Sequence, residues 1–599
     1  MTSSLKEQHS VMGEPRQSHS RLRGVEFAVF ALAVVLMGLM ASSITGVEVT
    51  NRDLVDTDGY MRYLRVAELI ETGDWFDAVS ERSNYPFGES QHWTRVLDVY
   101  LVVLTFVLRP FFGSDALYWA AFVNAPLLLI FAGWLLWRGL RHRVPPAVSR
   151  LVLPVLLGLP LVLSYSQFGR VDHHAAIFVA FVASFVSLID LIEEPRRAPA
   201  ITLGVVLALG LWLSTEFLVP AGLVGATLVA AALMQGDREL ASPGATVFGV
   251  AAAATAAAVA IERGPEWAVV EYDKVSVAHV AVLAAATLLF LFLSWLSRPQ
   301  TSRSWLWFLV GTAVAGGVLV MAFPGLIEGP FSDVDERVAE LWLYHVGELR
   351  PVWAADRTWS SRALVLAPTL FGLLASAVLV RRRALKGWLS VAAGWLVVYA
   401  ALSAAQVRWG FFAHVLALGL VISAVAPWYE NLGNRRLSVV LRPVLVVVLI
   451  FGTYGVAAAL DSTAPTEPDR YSCSLADVLP ALQAHPKTTV LAEQDVGPEI
   501  LYRTDHNVIA TPYHRNEAGI LYVHDVMSMP VSDPDAITER LRERSVGLIL
   551  MCPERFDTLR PENLEGTLYE SLATGASPES IRGIDLDVET DYLLFAVEN

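Results

Sequence analysis

The chain has 599 residues, of which 54% are hydrophobic and 17% charged, with a formal net charge of −15. That balance excludes an ordinary soluble globular protein, whose charged share is nearer a quarter, and the lack of a basic patch interleaved with aromatics excludes nucleic acid as the partner. The bilayer is the main solvent of this chain.

In chain order, a polar cytoplasmic N-terminal tail (1–24) leads into an apolar run, 25–46, with no small-residue cleavage site after it, so it reads as a signal anchor. Runs long enough to cross a hydrocarbon core follow at 116–137, 150–166, 174–193, 199–214, 216–235, 243–262, 276–296, 304–323, 363–381, 387–405, 410–427 and 437–460. That gives about thirteen transmembrane helices in a domain covering 25–460, each run being close to the ~20 residues a span needs. The shorter run "VYLVVLTFVLRPFF" (99–112) reads as an interfacial or half-buried helix.

Lys and Arg collect at the N-terminus (Lys6, Arg16, Arg21, Arg23), at 138–143, 193–198, 297–303, 381–386 and 434–442, and alternate correctly if all are cytoplasmic. The outer loop 47–98, a short loop holding Asp172, the outer loop 324–362 and segment 461–599 then lie outside, in a plasma-membrane protein with a cytoplasmic N-terminus. Segment 461–599 alternates helical pieces ("SLADVLPALQAH", "DPDAITERLRERS") with strand-like ones ("TTVLAE", "NVIAT", "VGLILMC", "DYLLFAVE"), the pattern of an extracytoplasmic α/β domain. Both cysteines, Cys473 and Cys552, fall there, where oxidation is permitted; a disulfide and two buried thiols are both open.

Ionisable groups gather at the outer edges of the spans. Asp56 and Asp58 bracket one residue in "DTDGYMRYLR", a spacing that suits one hard divalent cation or, equally, the cap of a helix starting near Tyr60. Asp172, His173 and His174 stand at the mouth of the 174–193 run, an O and N ligand set that suits Mn²⁺ or Mg²⁺, with Arg170 beside them to meet an anion. Glu348 lies in "YHVGELRPVW", Arg408 in "AAQVRWGFFAH", and Asp495 and Gly497 in "AEQDVGPEI" between a strand and a helix. The cluster "HWTRVLD" (92–98) reads as packing and helix capping ahead of catalysis, Glu216 as a solvated turn residue ahead of a site wall, Asp333, Asp335 and Glu336 as an exposed helix start, and His506, His514 and Arg515 as surface residues ahead of groups facing the donor.

One topology puts these acids and arginines on the outer face beneath a soluble domain, and at that point the chain resembles the GT-C fold glycosyltransferases, specifically the single-subunit oligosaccharyltransferases of archaea and bacteria. Asp58 before Gly-Tyr, with Arg62 or Arg65 after it, is similar to the family's first acidic motif, Asp172-His173-His174 to its second, "VGELRP" to its Thr/Ser-x-x-Glu element and "QVRW" to the region of its pyrophosphate-binding arginine. The resemblance implies Asp58, Asp172 and His174 as ligands of Mn or Mg, Asp58 and Glu348 as catalytic carboxylates, Arg408 and Arg170 as contacts of the donor phosphate, and Asp495 and Gly497 on the acceptor side. The departure is at Glu493-Gln494-Asp495-Val496-Gly497, where the family carries Trp-Trp-Asp-Tyr-Gly and only the Asp and the Gly remain.

The implied reaction is an inverting displacement at the anomeric carbon of a sugar or oligosaccharide carried on polyprenyl phosphate or pyrophosphate, with a protein, lipid or glycan acceptor. The alternatives are a GT-C transferase moving a single sugar onto a lipid or polysaccharide, a non-catalytic membrane scaffold, and a transporter. A transporter places its ionisable residues near the midplane and shows duplicated halves, whereas here the spans are nearly free of charge.

Overall fold

The computed structural model describes residues 16–44, 46–234, 240–295, 302–432, 438–461, 473–553, 564–588 and 590–598; the expected basic stretch around Lys6 and parts of those at 297–303 and 434–442 lie outside these. The N-terminal part is helical: α1 (Arg16–Ile44), α2 (Thr57–Thr72), a small hairpin of β1 (Val79–Ser80) and β2 (Glu89–Ser90), α3 (Arg95–Phe112) and α4 (Ala116–Leu140). Three short pieces follow, α5 (Pro146–Ser149), α6 (Val152–Leu156) and α7 (Pro160–Ser164), then α8 (His174–Glu193), α9 (Arg197–Leu213), α10 (Leu218–Met234), α11 (Ala241–Arg263), α12 (Val277–Trp295) and α13 (Ser302–Ala322). After α14 (Gly325–Glu328) and α15 (Glu336–Leu341) come α16 (Trp359–Arg381), α17 (Trp388–Ala405), α18 (Gly410–Leu432) and α19 (Ser438–Asp461).

Among the described residues ten helical stretches are long and apolar enough to cross a membrane, and they coincide with ten of the expected runs. The run 150–166 is different, because it is broken into α6 and α7. Pro160 has no amide hydrogen and holds Leu159 extended (φ −89, ψ 108), and most of this run is buried among other helices, so its hydrophobicity reflects a protein core and not a lipid-facing span. Helix α9 is only 17 residues long. The 99–112 run belongs to α3, which buries Leu97 and Leu101 and exposes Val103, Phe106 and Val107, then turns at Gly113 (φ +56) into α4.

The C-terminal part comprises α20 (Leu475–Ala484), β3 (Thr489–Leu491), α21 (Gly497–Arg503), β4 (Asn507–Val508), α22 (Glu517–Met527), α23 (Pro534–Glu543), β5 (Val546–Met551), α24 (Leu568–Ala573), β6 (Ile581–Ile584) and β7 (Leu593–Val597). Its sheet has the order β4-β3-β5-β7-β6, parallel across β4, β3 and β5 and antiparallel at β7 and β6. Each face of the sheet carries its own apolar core. Cys473 and Cys552 are joined in a disulfide.

Both long loops, 47–98 and 324–362, reach into this part. Met61 and Trp93 belong to one of its cores and Val338 of α15 to the other, while Arg82 donates to the carbonyls of Leu501 (3.1 Å) and Thr504 (2.6 Å). Beneath them Glu89, fully buried, accepts from the Ser83 and Thr511 hydroxyls, and Asn516 Nδ2 donates to Thr511 Oγ1 at 2.7 Å. Burial outweighs these two hydroxyl donors and pushes the Glu89 carboxyl up to about 7. A raised acid favours the proton-bound folded form, so this contact is strongest below about pH 4.5 and its contribution, on the order of 3 kcal/mol, is lost as pH rises toward 7. Hydrogen exchange at the amides of β4 and α22, corrected for intrinsic rate, is therefore expected to accelerate between pH 5 and 8 in the wild type. In Glu89→Gln, which carries no charge at any pH, the same amides stay flat.

Candidate active site

The site is assembled where the start of α2, the turn before α8 and the loop between α13 and α16 meet. Asp56 caps α2 through the Gly59 amide (2.8 Å), and Asp58 lies in its first turn. Gly169 adopts φ +79, a conformation that favours glycine; its N–H donates to the Phe122 carbonyl (2.9 Å) and its carbonyl accepts from Val55 N–H (3.0 Å). That turn brings Arg170 and Asp172 up against the start of α2.

Arg170 is the hub. Its Nε donates to Asp172, and its Nη2 lies 3.1 Å from Glu348 Oε1 and 3.4 Å from Asp56 Oδ2, with the guanidinium over the Tyr165 ring at 4.7 Å. Asp172 also accepts from the His174 backbone N–H (2.9 Å), so it is tied to the first residue of α8 as well as to Arg170. His174, buried and stacked on Tyr165, sets Nδ1 3.3 Å from Asp172 and Nε2 3.3 Å from Glu348. Glu348 is itself fixed from below, because its carbonyl accepts from the Arg408 backbone N–H at 3.2 Å.

Of the two first-motif carboxylates, Asp56 makes the ion pair with Arg170, whereas the half-buried Asp58 has none among the described residues and lies against the Tyr513 hydroxyl. Burial, then the negative Asp56, Asp172 and Glu348, push the Asp58 carboxyl up to about 7. Asp172 goes the other way: burial opposes its charge, but Arg170 beside it holds the carboxyl well below the usual range. Four carboxylates thus face one guanidinium and one imidazole. Among the described residues no three acid, imidazole or thiol groups are already arranged as a metal cage, yet the donor set, oxygens with one imidazole, and the surplus of negative charge both suit a hard divalent cation.

Next to this cluster lies a cavity of about 100 Å³, lined by His173, His92, Trp212, Glu216, Lys274 and Arg408 among others. Arg408 Nη1 pairs with Glu216 Oε1 at 2.7 Å, so Glu216 is a wall of the cavity and not the solvated turn residue its sequence suggests. Burial lowers the Lys274 ammonium to about 8, and burial with the neighbouring His514 holds the His92 imidazole well below its usual range. His514 and Arg515 are not surface residues either: His514 Nε2 and Arg515 Nε meet Asp273 Oδ2 at 2.7 and 2.8 Å, tying the C-terminal part to the turn between α11 and α12. His506 is packed inside, bonded to the Leu482 carbonyl (2.8 Å). Sequence alone gave no sign of Asp273 or Lys274, because two charges in a short turn between spans look like any solvated connector.

The "HWTRVLD" segment is a third arrangement. Arg62 and Arg65, considered for the arginine of the first motif, both bind the buried Asp98. Asp495 is exposed in the turn after β3, and Gly497 opens α21 where an added Cβ would lie 2.2 Å from the Ala510 carbonyl oxygen, so close backbone packing explains that glycine.

No family model and no curated protein matches the sequence. Solved structures do match: the archaeal oligosaccharyltransferase AglB from Archaeoglobus fulgidus, in complex with an inhibitory peptide and a dolichol-phosphate, is similar with a TM-score of 0.70 and 13% identity over 89% of this chain and 70% of that one. The oligosaccharyltransferase of the same organism in complex with Zn and sulfate gives 0.63 and 14% over 91% and 71%, and its form tethered to an acceptor peptide containing the NVT sequon gives 0.64 and 14% over 89% and 70%. The chain has the GT-C fold of the archaeal oligosaccharyltransferases.

Proposed function

We propose that this protein is an integral-membrane glycosyltransferase that moves a sugar or oligosaccharide from a polyprenyl-(pyro)phosphate donor to an acceptor on the outer face of the membrane. The observation that carries the reading is the junction of the carboxylate cluster at Arg170 with the cavity that Arg408 and Lys274 line, joined through the adjacent His173 and His174. In the structural neighbours, dolichol-phosphate, a peptide and a Zn ion with sulfate are the bound groups, a set consistent with an anionic lipid donor and a metal.

In the proposed reaction the bond from the anomeric carbon to the phosphate oxygen breaks as the acceptor atom attacks from the opposite side, so configuration inverts. Arg408 and Lys274 face the phosphate and share its developing charge, and the acceptor's proton passes to Asp58, which makes no ion pair among the described residues, or to Glu348. Asp58, Asp172, His174 and Glu348 are the residues that would hold Mn²⁺ or Mg²⁺. Such an ion, when bound, neutralises a leaving phosphate. Arg170 orients Asp172 and Glu348. The exposed Asp495, without the two tryptophans of the sequon-reading motif, favours an acceptor recognised differently from an Asn-linked sequon.

The test is turnover of radiolabelled polyprenyl-pyrophosphate-linked and polyprenyl-monophosphate-linked sugars by the purified protein, with Mn²⁺ and with EDTA. Wild type is expected to release lipid phosphate from one donor class, and Arg408→Ala to be slower by about 100-fold or more. Turnover of the monophosphate donor alone selects the single-sugar transferase. Absence of turnover with both, by protein whose thermal unfolding remains cooperative, leaves the scaffold reading in possession.

A further inference from the structure

The ends of α4, α8 and α17 farthest from the candidate site enclose a second cavity, of about 540 Å³. Helix α8 links the two places, running from His174 in the carboxylate cluster to Glu193 on the wall of this cavity. Its 20 residues at the helical rise put them about 30 Å apart, the thickness of a hydrocarbon core.

Three guanidiniums, Arg138, Arg141 and Arg143, line this cavity against two carboxylates, Asp190 and Glu193. Arg143 takes up both acids, with Nη2 2.6 Å from Asp190 Oδ1 and Nε 2.9 Å from Glu193 Oε1, and its Nη1 donates to the Gly139 carbonyl at 2.6 Å. Arg138 is exposed and makes no ion pair among the described residues; it lies over the Trp134 ring at 5.5 Å, and Arg141 lies over Trp137 at 4.8 Å. The rest of the wall is His142, whose Nε2 accepts from Arg141 Nε at 2.9 Å, with Val186 packed on Gly139 and the buried Trp388.

Tryptophans and arginines together at the ends of spans mark the headgroup level of a bilayer. A positively biased cavity between helices at that level is the arrangement that receives an anionic lipid headgroup. We propose that this cavity binds the phosphate of an anionic phospholipid in the leaflet opposite the candidate site. Arg138 and Arg141 are its cationic contacts, and Arg143, braced by its two carboxylates, is the strut that shapes the cavity. The arginine fork suits the two free oxygens of a phosphodiester, and the apolar wall of Val186 and Trp388 covers the glycerol end of the lipid. The inference is independent of glycosyl transfer, since none of these residues lies in the carboxylate cluster.

The experiment is native mass spectrometry of the full chain from mixed micelles containing phosphatidylglycerol or phosphatidylcholine. Wild type is expected to retain phosphatidylglycerol roughly 30-fold more strongly than Arg138→Gln/Arg141→Gln, the factor for two guanidiniums near a phosphate, with phosphatidylcholine retention unchanged. Val186→Trp, which fills the cavity and leaves every charge in place, is expected to lose the lipid too, and it decides the matter if the double variant fails to fold. Equal retention by wild type and the cavity variants overturns the proposal. So does an equal loss in Arg381→Gln/Arg383→Gln, which would mean that any basic span end suffices. Displacement of the lipid by low-millimolar inorganic phosphate likewise overturns it, because the ligand would then be free phosphate and not a headgroup.

Discussion

Asp172→Asn is expected to lower donor turnover by about 1,000-fold or more while leaving the fold intact. An asparagine side chain accepts from a backbone N–H two residues on much as aspartate does, so the bond to the His174 N–H at the start of α8 survives the change. What disappears is the negative charge. Arg170 loses the carboxylate its Nε meets and is left to Asp56 and Glu348, and His174 loses the acid 3.3 Å from Nδ1 that sets its ring. Removing a charge that orients several groups at one reacting centre costs more than removing any single contact, because the groups act as a unit. Calorimetric titration with Mn²⁺ supplies the second readout: stoichiometric binding by wild type is expected to vanish in Asp172→Asn and in Asp58→Ala. Turnover within 10-fold of wild type in a well-folded Asp172→Asn would remove this carboxylate from the chemistry.

The largest stability effect is expected at Asp98. Its carboxylate is fully buried and meets Arg65 Nε at 2.7 Å, Arg62 Nη1 at 2.8 Å and Arg95 Nη1 at 3.3 Å. Arg62 also lies over the Trp93 ring at 4.4 Å, and Arg65 donates to the Trp93 carbonyl, so α2, α3 and the segment between them converge on one acid. Asp98→Asn leaves three guanidiniums in a buried space without an anion, a loss of about 3–5 kcal/mol for a broken buried pair. The expected readout is a lower thermal midpoint in detergent, with donor turnover falling in parallel because α2 carries Asp56 and Asp58. Adding Arg62→Met to Asp98→Asn is expected to recover part of the loss, since it removes one of the stranded charges. An unchanged midpoint in Asp98→Asn would show that solvent reaches the triad.

The separation between what can be read along the chain and what cannot follows the range of each interaction. The apolar runs are legible because crossing a bilayer is a local demand, met by each segment on its own. The run 150–166 shows the limit of that rule: hydropathy does not distinguish a lipid-facing helix from broken pieces buried in a helical core, and Gly158 and Pro160 were the signal that it is the latter. The acidic motifs, too, stand out locally, since Asp56-Thr57-Asp58 and Asp172-His173-His174 sit at helix starts beside spans.

Their partners are another matter. Arg170 and Glu348 are 178 residues apart in the chain, and Asp273 is 241 residues from His514. Nothing in the immediate neighbours of Asp273 and His514 distinguishes them from solvated loop charges. Arg170 lies among three carboxylates, and Glu216, which its sequence suggests is a solvated turn residue, lies against Arg408. The sequence by itself determined the membrane class, the apolar helices and the acidic motifs beside them. Which carboxylate meets which cation was decided only by tertiary structure, because ion pairing acts over a few ångströms of space and is indifferent to distance along the chain.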